Sequence, residues 1–108
     1  MKKIFHIRIP LSFKDSFELL CKSGDDITTW KTSSTDPENG YIMWKQSFMS
    51  LTGTATIIAK LEQTKEKETS VEVIVHKPLQ FFDPIKISDK VFNKLDKSWQ
   101  KNFKNQQK

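Results

Sequence analysis

The C-terminal segment carries the pattern that most restricts how this chain can fold. Its large apolar side chains recur at the spacing of one face of an α-helix, at Phe92, Leu95, Trp99 and Phe103. Lysines fall on the opposite side of the same helix, at Lys90, Lys94, Lys97, Lys101, Lys104 and Lys108. Ser88 is positioned to cap its first turn. The pattern predicts an amphipathic helix from Ser88 towards Asn105 that needs an apolar partner surface.

Alternating segments upstream predict that surface as a β-sheet. Residues 4–9, 41–48, 53–63 and 69–77 alternate apolar and polar side chains, and residues 28–32 form a short β-branched run. The predicted inward positions are Phe5, Ile7, Ile9, Ile42, Trp44, Phe48, Ala55, Ile57, Ala59, Leu61, Val71, Val73 and Val75. One face of each strand is therefore expected to contribute to a common core.

A first helix is predicted between the first two strands. Ser12 and Asp15 have the spacing of a capping signal, and Gly24 is expected to end the helix in a left-handed conformation. Apolar side chains follow the cap at helical spacing, at Phe13, Phe17, Leu20 and Cys21. Further along, Asn39-Gly40 predicts a tight turn.

The resulting order, β-α-β-β-β-β-α, resembles the helix-grip arrangement of TATA-binding-protein-like domains. START-like lipid-binding domains and the birch-pollen-allergen family elaborate the same arrangement. The resemblance covers nearly the whole chain as an order of elements, without a shared motif. It implies an α+β fold in which a curved, five-stranded antiparallel sheet grips the long C-terminal helix. Residues 1–108 are expected to form one domain, with the last few residues frayed.

Several functional classes are disfavoured by the sequence. It contains no recognisable catalytic, metal-binding or nucleotide-binding motif, so we predict a non-enzymatic protein without a cofactor. The single cysteine, Cys21, cannot form a disulfide within the chain and suggests a reducing cytoplasm. No apolar run reaches the length of a membrane span. His6 and His76 fall on outer positions of strands that a helix-grip sheet can make neighbours, but two imidazoles make a weak metal site.

The leading hypothesis is a domain that acts through its surfaces. By alternation, the outer face of the sheet carries an apolar patch at Ile4, Tyr41, Met43, Ile58 and Ile74. Such a patch can be covered by a second copy of the chain, and the alternative is a set of scattered surface apolar residues. We predict a homodimer at micromolar concentration.

The second hypothesis is a START-like site for a small hydrophobic ligand between the sheet and the last helix. Phe81 and Phe82 precede that helix and can gate such a site, although plugging the end of the core is the favoured alternative. Large residues such as Trp30, Trp44 and Trp99 fill the interior, so we expect a small or collapsed pocket.

The third hypothesis is binding of nucleic acid or of another anionic surface through the lysine stripe at Lys90, Lys94, Lys97, Lys101 and Lys104. The formal net charge is +5, and every basic residue except Arg8 is a lysine. Lysine supplies charge without the planar fork with which arginine reads guanine, so nucleic-acid binding is expected to be weak and not sequence-specific. The favoured alternative is a solvated helix face.

Overall fold

The computed structural model describes residues 2–47, 53–77 and 87–106. The described part has five strands and two helices in the predicted order, which confirms the α+β class. Their bounds are β1 (Lys2–Ile9), α1 (Phe13–Asp25), β2 (Trp30–Asp36), β3 (Tyr41–Gln46), β4 (Ala55–Lys65), β5 (Glu68–His76) and α2 (Ile87–Gln106).

All strands belong to one antiparallel sheet with the spatial order β1-β5-β4-β3-β2. The inward positions predicted from alternation are buried in a single core, with Phe5 partly buried against it and Phe48 outside the described residues. Because both helices contribute residues to that same core, they cover one face of the sheet, and neither helix covers the other face. No helix in the described ranges has the length and apolar character needed to cross a membrane.

The inward face of α2 differs from the predicted stripe by a small rotation. Leu95 and Trp99 are buried as expected, while Phe92 and Phe103 lie half-buried at the flanks. Phe92 stacks on Phe5 of β1 with ring centroids 4.3 Å apart. The buried face is completed by residues that the stripe omitted: Ser88, Val91 and Asn102.

The predicted cap of α2 is wrong, whereas the cap of α1 is confirmed. Helix α2 begins at Ile87, so Ser88 lies within it and is buried on its inner face. At α1, the Ser12 hydroxyl accepts a hydrogen bond from the backbone N–H of Asp15 at 3.2 Å. This bond satisfies one of the amide groups that the first helical turn leaves unpaired.

Strand β2 begins two residues later than predicted and continues to Asp36. Residues after Trp30 are polar and mostly exposed, and a bulge interrupts the register between Thr32 and Ser34, so no apolar alternation marks this edge strand. The predicted turn at Asn39-Gly40 is confirmed, since Gly40 has a φ of 70°.

Gly24 has a different role from the one its position suggested. It lies inside α1 and does not adopt a left-handed conformation. A Cβ atom at this position would lie 2.1 Å from Nε1 of Trp44, which is far inside contact distance. The indole N–H of Trp44 has no hydrogen-bond partner within the described part of the chain. Glycine is therefore required because the helix rests directly on the Trp44 ring.

Buried and partly buried hydrogen bonds join the two helices near their C-terminal ends. Ser98 Oγ donates to the carbonyl of Ser23 at 2.7 Å, and Asn102 Nδ2 donates to Ser23 Oγ at 3.1 Å and to Asp26 Oδ2 at 3.0 Å. The bond from Asn102, followed by the charge of Lys22, holds the pKa of the Asp26 carboxyl below its ordinary value. These contacts fix where α2 crosses α1.

Replacing Gly24 with alanine is expected to destabilise the domain, although alanine is the better helix former by about 1 kcal/mol. The added methyl group forces the Trp44 ring out of its packed position, and overpacking of this kind costs about 1–3 kcal/mol. Urea denaturation measures the change. In a Trp44→Phe background the same substitution should cost less, because the atoms that clash are gone. Equal costs in both backgrounds would contradict the contact.

Replacing Asn102 with aspartate is expected to lower stability at pH 7, because a second carboxylate then lies beside Asp26. The pKa of the coupled pair rises, so the penalty shrinks as pH falls towards the unfolded value of about 3.9. In the natural protein the stability instead decreases as pH falls through the lowered pKa of Asp26. Protonation then removes the favourable interactions that the carboxylate makes in the folded state. Denaturation at pH 7 and at about pH 3 measures both trends.

Asn93→Asp is the matched control, because it introduces the same charge at an exposed position of the same helix, away from the groove that Asp26 lines. It should change stability little at either pH. An Asn102→Asp variant that loses no more stability than Asn93→Asp at pH 7 would show that the hydrogen bonds of Asn102 contribute little.

Candidate functional site: a polar cluster between sheet and helix

Polar side chains gather on the otherwise apolar inner face of the sheet, beneath α2. We call Trp30, Gln46, Lys77 and Lys94 the inner polar cluster. Gln46 Oε1 accepts hydrogen bonds from Trp30 Nε1 at 2.9 Å and from Lys94 Nζ at 3.0 Å. Gln46 Nε2 donates to the carbonyl of Gly53. Lys77 Nζ donates to the carbonyl of Thr54 at 3.2 Å.

The alternation of the strands explains why these groups face inward. Gln46 continues the inner positions of β3 after Trp44, and it is only 3% exposed. Lys77 follows β5 in phase with the inward Val75, and it is only 1% exposed. Trp30 lies directly opposite Gln46 in the β2–β3 register. The sheet therefore ends in polar groups on its covered face.

Lys94 adds an ammonium group from the helix above. It is half-buried, and burial is the main reason that its pKa lies below the ordinary lysine value. The positive charge of Lys77 lowers that pKa further. Two cationic groups of the chain thus lie close together in a partly desolvated space, where a group that accepts hydrogen bonds or carries negative charge is stabilised.

Sequence reasoning missed Gln46 and Lys77 and misplaced Lys94. The sequence signal for Gln46 and Lys77 is that both fall on inward positions in the alternation of their strands. Lys94 was predicted to lie on the solvated side of α2, and this is wrong because its side chain bends under the helix to Gln46. A lysine that flanks an apolar stripe can extend towards solvent or towards the sheet. Here the hydrogen bond to Gln46 of β3 determines that Lys94 extends towards the sheet.

The remaining lysines of the predicted stripe, Lys90, Lys97, Lys101 and Lys104, are exposed, and Lys108 lies outside the described residues. Lys97 and Lys101 line an open groove together with Asp26. That carboxylate opposes the binding of an anion between them. Whether this part of the stripe binds nucleic acid stays a prediction.

The predicted outer patch is brought together by the strand register. Ile4 lies opposite Ile74, Ile74 opposite Ile58, and Ile58 opposite Met43, which forms a continuous row across four strands that we call the apolar row. Tyr41 is two residues before Met43 in β3, outside the row, and lies opposite Lys60. Ile4 is 47% exposed at the end of the row, whereas Ile74 is only 6% exposed between its neighbours.

Two other sets of predicted residues have different outcomes. Phe81 and Phe82 lie outside the described residues. His6 and His76 are on neighbouring strands as expected, but the register pairs His6 with Glu72 and His76 with Lys2. No metal-binding group of histidine, cysteine or acidic residues occurs in the described ranges.

No protein-family model matches the chain, and no curated protein sequence matches it. Solved structures do match. An uncharacterised protein from Bacillus thuringiensis superimposes with a TM-score of 0.68 at 11% identity, over 95% of this chain and 98% of the other. Ara h 8.0201 gives 0.67 at 12% identity, over 93% and 92%.

Aromatase/cyclases have a similar fold. The Zhui aromatase/cyclase from Streptomyces sp. R1128 gives a TM-score of 0.54 at 7% identity, over 91% of this chain and 86% of the other. In the di-domain aromatase/cyclase BexL the score is 0.65 at 9% identity, and the chain spans 43% of that protein. At these identities the similarity concerns the fold alone. It is consistent with the helix-grip arrangement to which the sequence points.

Proposed function

We propose that the protein binds a small, partly apolar molecule between the sheet and α2, with an anionic group of that molecule held at the inner polar cluster. The observation that carries the proposal is that two lysines reach the same end of the covered face of the sheet. Lys94 Nζ donates to Gln46 Oε1 of β3, and Lys77 Nζ donates to the carbonyl of Thr54, just before β4. Ligand-binding proteins share this architecture, which is compatible with such a role.

The charge at the cluster supports an anionic ligand group. Bringing two ammonium groups together away from bulk water is costly, and an anionic group beside them lowers that cost. A ligand carboxylate supplies negative charge and accepts charge-assisted hydrogen bonds. Lys94 is the better placed of the two to meet a ligand, because Lys77 is almost fully buried whereas Lys94 is half-exposed.

The apolar surroundings support a small ligand. Trp30 and Trp44 lie 5.5 Å apart between ring centroids on the inner face, and both are buried. An interior filled by such side chains leaves little room for a long lipid, since large empty cavities are costly for a domain of this size. A short chain or a single ring that contacts the Trp30 end of the core fits these limits.

A matched pair of probes tests the anionic preference. We expect octanoate to bind more tightly than 1-octanol, which has the same chain length without the charge, as measured by isothermal titration calorimetry. Lys94→Met should weaken octanoate binding about 10- to 100-fold, because a charge-assisted hydrogen bond contributes roughly 1.5–3 kcal/mol. The same variant should leave the affinity for 1-octanol nearly unchanged.

Lys97→Met is the control for this experiment. It removes the same charge from an exposed position one turn along α2 and should keep the octanoate affinity within about twofold, as expected for a distant screened charge. Equal binding of both probes, no binding of octanoate, or equal losses in the two variants would each count against the proposal.

The lowered pKa of Lys94 predicts how octanoate binding depends on pH. Octanoate is fully ionised at neutral pH, so only the lysines change charge as the solution becomes alkaline. Binding should weaken as pH rises through the pKa of Lys94, beginning below the ordinary lysine value of about 10.4. In Lys94→Met this early decrease should vanish. An affinity that is constant up to pH 10 in the natural protein would show that Lys94 does not hold the anion.

A further inference from the structure

We propose that the outer face of the sheet pairs with a second copy of the chain, and that the two-fold axis of this dimer runs along the apolar row. Covering this face would bury the 47%-exposed Ile4 together with the partly exposed Ile58 and Met43. The proposal goes beyond ligand binding, because it uses the face opposite to the inner polar cluster.

The rows on either side of the apolar row differ in charge. The next outward-facing residues along the strands form a basic row on one side of the apolar row. The register assembles it from Lys2, His76, Thr56, Lys45 and Lys31. The next outward-facing residues on the other side of the apolar row form a row of mixed charge. The register assembles this mixed row from His6, Glu72, Lys60, Tyr41 and Asp36. The outer face therefore has an apolar centre, a cationic side and a side that includes two carboxylates.

This asymmetry selects the symmetry axis. With the axis along the apolar row, each strand lies over its own copy, and the basic row of one copy faces the mixed row of the other. His76 then meets Glu72, and Lys31 meets Asp36. With the axis along the strands and between β5 and β4, at the middle of the apolar row, Lys2 of one copy would meet Lys45 of the other. Like charges facing each other across an interface are unfavourable, so the first arrangement is preferred.

The size of the face predicts a weak dimer. Five strands about 4.8 Å apart and about eight residues long present roughly 500 Å² of flat surface. Standard interfaces bury about 800 Å² on each partner. Two sheets can pack face to face about 10 Å apart with their strands nearly aligned, as this axis requires. We therefore expect association in the micromolar range.

Light scattering tests the association itself. The mass of the intact chain should approach that of a dimer as its concentration rises from micromolar towards millimolar. Ile4→Lys should remain monomeric, because it places a charge in the apolar row at a position exposed enough to leave the fold intact. Gln100→Lys adds the same charge at an exposed position of α2 and should still dimerise. A natural protein that is monomeric throughout, or a loss of the dimer in both variants, would overturn the proposal.

Cross-linking tests the axis separately. Single cysteines at Ile4 or Met43, each in a Cys21→Ser background, are treated with a short bismaleimide. If the axis follows the apolar row, each residue faces its own copy, and both variants cross-link with themselves. If the axis follows the strands, only a mixture of the two variants cross-links.

Lys101→Cys in the same background controls for random collision. It should not cross-link, because it lies on the exposed side of α2. Cross-linking in the mixture alone would overturn the axis while leaving the dimer and the ligand proposal intact. Equal cross-linking of Lys101→Cys would overturn a specific interface. Octanoate binding is measured at the inner cluster, so its failure would leave both results unaffected.

Discussion

The packing of α2 on the inner face of the sheet is the contact on which the rest of the domain depends. Val91 and Leu95 are fully buried in the same core as the inward valines of β5, and Phe92 stacks on Phe5 at its edge. Burying one large apolar side chain contributes about 1.5–3 kcal/mol. A domain is stable by only about 5–15 kcal/mol in total. A few side chains of one helix therefore contribute a decisive part of the stability.

The same contact explains why the two faces of the sheet differ. The covered face is apolar at its centre and polar where Gln46 and Lys77 end it, so its polar groups are enclosed together with Lys94. The uncovered face is also apolar at its centre, but charged rows border it on both sides. The cations on the covered face are the basis for the proposed anionic ligand, whereas the charged rows on the other face are the basis for the proposed dimer. The two proposals differ because the helices cover only one face of the sheet.

The architecture could be predicted from the sequence because it depends on periodicity. Inward residues of β1, β4 and β5 alternate clearly, and nothing but the period of a strand is needed to identify them. The bounds of the edge strand β2 escaped this reasoning, because its residues after Trp30 are polar and mostly exposed. Gly24 was misread because its reason lies in Trp44, which is distant in the chain.

The candidate site was harder to predict than the fold. Polar residues such as Gln46 and Lys77 at inward positions look like exceptions to a pattern until a partner is known. The direction of a long side chain is even less determined, since Lys94 has a flexible stem that reaches either water or the sheet. Its placement results from a hydrogen bond between elements far apart in the sequence, and no local pattern encodes such a bond.

The hydrogen bonds from Ser98 and Asn102 to Ser23 have a mechanical consequence. They hold α2 against α1 near the C-terminal ends of the two helices. At the other end, α2 is tied to β1 by an exposed ion pair between Lys3 and Asp89, and such pairs contribute little. Any separation of α2 from the sheet is therefore smallest near Asn102 and increases along α2 past Lys94 towards Asp89.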